Sequence, residues 1–130
     1  MTFGAISKAF VKPVLISAVI NAVAFLLAVQ ISGEIITSNE PIMTITVFHV
    51  IGFTIFQGGI LGAIFAWLML KTKNPKKNWQ IYATVLLVVS FLLPFGGVQT
   101  TTMALWLNLL HLIAGVVIIP AVAKALPAEK

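Results

Sequence analysis

Apolar positions in this chain fall into four long, nearly uninterrupted blocks, and polar positions gather between them. A helix needs roughly 20 consecutive apolar residues to cross a bilayer. The blocks predict helices over about 13–32, 42–70, 79–95 and 102–126. β-Branched residues are plentiful, but the runs are continuous rather than alternating, which fits helices and not barrel strands. Pro13 suits a first helical turn, where its missing N–H costs nothing. Ser38, Asn39 and Glu40 before Pro41 make a helix start, and Asn74-Pro75 acts as a stop. Gly96-Gly97 predicts a tight turn before the fourth helix, with Thr101 or Thr102 as its cap. The expectation is an all-α, antiparallel four-helix transmembrane bundle that fills residues 1–130 as a single domain. No long linker and no convincing internal repeat divides the chain.

Composition agrees with this pattern. Of 130 residues, 60% are hydrophobic and 8% charged, and the mean hydropathy is +1.10. An ordinary soluble domain is about a quarter charged. The net charge of +5 comes entirely from lysine, because the chain has no arginine. Such a balance can point to nucleic acid, but there is too little polar surface for a basic face, so no nucleic-acid partner is expected. Resolved along the chain, the lysines give a topology. Lys8 and Lys12 lie before the first block, Lys71, Lys73, Lys76 and Lys77 after the second, and Lys124 and Lys130 at the end of the fourth. All fall on one side of a four-span arrangement, with Glu34 and Glu40 on the other. The positive-inside rule then makes both termini cytoplasmic. Trp67, Trp79 and Tyr82 fall near the inner interface and Trp106 nearer the outer one. Anionic lipid headgroups are the natural partners of the lysines. Lys8, Lys12 and Ala22-Val23-Ala24 also resemble a secretory signal with a cleavage site, but the apolar run continues to Ile31, which favours an uncleaved helix.

The absence of cysteine excludes thiolate nucleophiles, iron–sulfur clusters and cysteine-ligated zinc. No Asp, Glu, Lys or Arg lies in the core of any block, which disfavours carboxylate-driven proton pumping and paired-carboxylate catalysis. The remaining chemistry is a handful of neutral groups. At 1.5 Å per residue, His49 is placed about 9 Å from the outer end of the second helix, with Ser90 similarly deep. Asn108 and His111 fall about 9 and 13 Å into the fourth helix and share a face. His49, Ser90, Asn108 and His111 are therefore the candidates for an outward-facing polar pocket. Asn21 and Gln57, about 18–20 Å deep, make a second layer read as interhelical amide packing.

An imidazole in lipid requires a partner. His49 and His111 have three readings: satisfied structural groups, cavity or switch residues, or the axial pair of one haem b. No other cofactor is expected. Met43 and Met103 beside the histidines suit copper chemically, but the spacing is not that of a metal motif. Gly58 and Gly62 form a G-x-x-x-G pattern for close helix approach, within one bundle or between copies.

The chain resembles a family of small bacterial four-helix membrane proteins of unknown function. The resemblance rests on Asn21, the lysine-flanked turn after Leu70, Ser90 with Pro94, and Thr101-Thr102-Met-Ala-Leu leading to Leu110-His111. It implies four spans and draws attention to His111, but it carries no activity. The leading expectation is a non-enzymatic protein of the bacterial inner membrane that binds a small molecule or lipid, or serves as accessory subunit of a larger membrane complex. A bis-histidine haem b electron carrier and a channel or transporter formed by a homo-oligomer are the alternatives.

Overall fold

A computed structural model describes residues 1–129. Four helices are long and apolar enough to cross a membrane: α1 (Phe3–Ser32), α2 (Val47–Met69), α3 (Pro75–Gly97) and α4 (Thr101–Ala125). No strand occurs among the described residues; one isolated β-bridge, Ile36 to Thr44, lies within the α1–α2 loop and another, Thr37 to Val98, ties that loop to the α3–α4 connection.

The helix ends differ from those the hydropathy predicts, each for a local reason. Helix α1 begins at Phe3, not near Pro13. Thr2 caps it by accepting a hydrogen bond from the Ala5 N–H at 3.3 Å. Ile6, Phe10 and Val14 then continue a buried stripe at four-residue spacing, so Pro13 stands inside the helix. At 30 residues α1 is about 45 Å long, more than the hydrocarbon thickness. It ends at Gly33, whose φ of 85° lets its N–H reach back to the Val29 carbonyl at 2.9 Å. Helix α2 begins at Val47, five residues later than expected. The apolar residues before it are spent on the loop, where Ile36 bridges Thr44 and Ile45 donates to the Ile35 carbonyl at 2.8 Å. Asn74-Pro75 opens α3 rather than closing α2: Pro75 occupies the first turn, where it is tolerated. Gly96 and Gly97 finish α3, and Thr100 caps α4 by accepting from the Met103 N–H at 3.2 Å.

Two core clusters hold the bundle. One unites Ile6, Phe10 and Val14 of α1 with Ala63 and Ala66 of α2, Trp79 and Ala83 of α3, and Ile118 and Val122 of α4. Trp79, assigned to the interface by sequence, is 3% exposed there; its ring packs edge-on against Phe10 at 5.6 Å and its Nε1 donates to the Ile119 carbonyl at 2.9 Å. This end also carries Lys71–Lys77 and is called the lysine end below. The other cluster, at the loop end, gathers Phe25, Ile35, Val50, Val98, Ala104 and Leu110. Lipid is as apolar as these side chains, so shape and polar pairing decide association. The glycines serve that fit. A Cβ at Gly62 would stand 2.8 Å from the Phe10 ring, and one at Gly58 2.9 Å from Ile118 Cδ1. Gly58 and Gly62 therefore face α4 and α1 of the same chain.

Candidate functional site

Helix α2 is not uniform. Thr54–Leu61 takes the wider π-helical winding, a form usually confined to one turn and frequent at functional sites. Over Val47–Leu61 no Cα of α2 comes within 8 Å of α3, and the two helices meet only toward the lysine end. The space between them is a cavity of about 530 Å³. Phe53, Gln57, Leu61 and Phe65 form its α2 wall, Trp79, Ala83, Leu86 and Ser90 its α3 wall, and Leu107, His111, Ala114 and Ile118 its back wall on α4. Asn21 is the contribution of α1.

Five neutral polar residues line this space: Asn21, Thr54, Gln57, Ser90 and His111. Counted from the observed loop-end helix termini, they lie about 10–17 Å deep. The two layers expected from sequence thus merge into one level. Asn21, 2% exposed, donates through Nδ2 to Thr54 Oγ1 at 3.3 Å, and Thr54 Oγ1 donates to the Val50 carbonyl at 2.8 Å. Since Thr54 spends its hydrogen on Val50, it can only accept from Asn21, which fixes the amide and leaves Asn21 Oδ1 as an acceptor. That Oδ1 is buried without a partner, as is Ser17 Oγ one turn away, while His111 Nδ1 is buried against the Leu107 carbonyl of its own helix. Ser90 Oγ is satisfied by the Leu87 carbonyl of its own helix at 2.6 Å. Orphaned groups of this kind are uncommon in folded chains.

The other two candidates stand apart. His49 does not line the cavity. It is the third residue of α2, where its Nδ1 accepts from the Thr46 N–H at 3.0 Å and its ring stacks on Phe53. It performs the reciprocal half of a capping box, usually the task of Glu or Gln. Asn108 faces α3, donating through Nδ2 to the Phe91 carbonyl at 3.0 Å, with its Oδ1 buried and unpartnered. His49 and His111 are therefore not brought to one cavity wall. Among the described residues no group of three or more His, Asp or Glu gathers as a metal site.

The loop end is closed by backbone. Ser38 N–H donates to the Gly97 carbonyl and Gln99 N–H to the Ile36 carbonyl, both at 3.1 Å. Ser38 Oγ and Asn39 Nδ2 both donate to the Gly96 carbonyl, at 2.9 and 3.1 Å. Ile35, 1% exposed, lies under this cap, and Ile45 forms part of the cavity wall. Neither Thr54, the partner of Asn21, nor the π-helical stretch was foreseen. Gly58-Gly59 in mid-helix is the one sequence signal for the wider winding, and it serves packing equally well.

An all-helical chain with four membrane-length helices and no charged group on its cavity wall is an integral membrane protein by its features. Residues 5–128 match DUF6069, a family of unknown function, and the chain belongs to that family. No curated protein and no solved structure matches it.

Proposed function

We propose that this chain is a non-enzymatic protein of the bacterial cytoplasmic membrane that binds a small molecule or lipid in the α2–α3 cleft. The supporting observation is the cleft itself. Its volume lies within the usual range for ligand sites, about 300–1,000 Å³. Apolar walls with a few convergent polar groups are the usual composition of such sites. In this reading the bundle is antiparallel, consistent with the mixed ends that make up each core cluster. The lysine end faces the cytoplasm, as do both termini.

The test is native mass spectrometry of protein released from lipid nanodiscs. The wild type is expected to retain a non-protein adduct through mild activation. Ser90→Phe, which fills the cleft from a half-buried position, is expected to release it. A wild type that emerges as bare protein under the same conditions counts against the reading.

A further inference from the structure

We infer that the cleft takes an uncharged, single-chain lipid with a hydroxyl or carbonyl head, and that this molecule arrives sideways from the bilayer through the gap between α2 and α3. The inference rests on the proposed binding role of the cleft and deepens it.

Access follows from what is closed. At the loop end, the segment between α1 and α2 is tied to the α3–α4 connection by Ser38, Asn39, Ile36 and Gln99. At the lysine end, Phe65 and Trp79 pack together at 5.9 Å and Trp79 is bonded to Ile119. Between α2 and α3 no hydrogen bond or ring contact among the described residues spans the loop-end part of the cleft, where the two backbones stay apart. Phe53, Leu61 and Leu86 line the cavity and are also well exposed, which puts them at its mouth. In a membrane that exposure is to acyl chains, so the mouth opens on lipid.

Charge defines the class. No Lys, Asp or Glu lines the cleft. A phosphate, carboxylate or ammonium there would be desolvated with no counter-charge, which is unfavourable in hydrocarbon. Neutral oxygen is what the polar residues present can satisfy: the side chain of Gln57, which makes no hydrogen bond among the described residues, and the imidazole of His111 through Nε2, its Nδ1 being buried. Shape gives the rest. The lining runs from Val50 to Phe65 along α2, about 20 Å. Asn21, Gln57 and His111 stand near the middle of this length and Thr54 and Ser90 nearer the loop end; beyond them Leu61, Phe65, Ala83, Ile118 and Ile119 are apolar, and the Trp79 N–H is spent on the Ile119 carbonyl. A head at the level of Gln57 and His111 with its chain running toward Trp79 matches this division.

Photolabelling of the full chain in nanodiscs tests the inference. The probes are hexadecanol, hexadecanoic acid held ionised, and phosphatidylcholine, each with a diazirine in its chain, and labelled peptides are read by mass spectrometry. The alcohol is expected to label cleft residues, to be competed off by unlabelled hexadecanol, and to exceed the acid at these residues by about tenfold or more. Leu86→Trp, at an exposed position, is expected to suppress cleft labelling; Ser38→Ala with Asn39→Ala, which loosens the cap, is expected to leave it unchanged. Equal cleft labelling by the ionised acid or the phospholipid overturns the uncharged class while leaving the binding role intact. Labelling that rises with the loosened cap and ignores Leu86→Trp overturns the lateral route. If no probe labels the cleft above outward-facing positions such as Val19 and Val85, the binding role falls as well.

Discussion

Gly62→Ala separates the packing account from helix propensity more sharply than any other single change. Alanine in place of a mid-helix glycine is intrinsically favourable by about 0.5–1 kcal/mol. At Gly62 that gain meets a wall. The new Cβ would lie 2.8 Å from Phe10 Cε1, closer than real contacts allow. Phe10 is 3% exposed and its ring is held edge-on by Trp79, so it has nowhere to retreat. Overpacking of this kind costs typically about 1–3 kcal/mol, leaving Gly62→Ala less stable by about 1 kcal/mol net. Gly58→Ala meets only the terminal methyl of Ile118 at 2.9 Å, which can rotate, so gain and cost roughly cancel. Gly52→Ala meets nothing within 4 Å and keeps the full gain. Unfolding midpoints in mixed micelles should rank Gly52→Ala above Gly58→Ala above Gly62→Ala. A Gly62→Ala variant as stable as Gly52→Ala would refute the fit of α2 against α1.

Three further outcomes follow from the same geometry. Replacing His49 by Ala removes the acceptor for the Thr46 N–H and should cost about 1 kcal/mol in the same unfolding assay, whereas His49→Gln should recover most of it. A double-mutant cycle on Asn21→Leu and Thr54→Val should give a coupling of about 0.6–2 kcal/mol; a cycle that closes at zero would remove the interhelical bond from the account. With no native cysteine to interfere, Lys73→Cys should resist an impermeant thiol reagent applied outside cells while Glu40→Cys reacts, and the reverse pattern would invert the proposed topology.

The spans were legible because an apolar run of membrane length needs only composition to declare itself. Their ends were not, because the same residue serves two purposes. Proline is acceptable in a first turn, so Pro13 looked like a start; the buried stripe from Ile6 to Val14 carries the helix past it. Pro75 looked like a stop and is a first-turn residue. Ile42, Met43 and Ile45 looked helical but lie in the loop, where the Met43 carbonyl accepts from Thr37 and the Ile45 N–H donates to Ile35. These shifts propagate into the site. Depth arithmetic from position 42 put His49 well inside the membrane, whereas the true start at Val47 leaves it in the first turn, about 3 Å in. The same arithmetic, corrected, brings Asn21 and Gln57 level with His111. Ser90 and His111 were recognisable from sequence alone as polar groups inside membrane-length apolar runs. That they share a cleft with Asn21 and Gln57 depends on the splay of α2 from α3, and no residue pattern encodes that splay visibly.

The central claim is that the α2–α3 gap holds a molecule drawn from the membrane. An experimentally determined structure of the chain in lipid tests it most directly. The account predicts elongated non-protein density between α2 and α3, with one end level with Gln57 and His111 and the other near Trp79. A gap closed by Leu86 packing onto Phe53, or one filled with water continuous with the loop end, would contradict it.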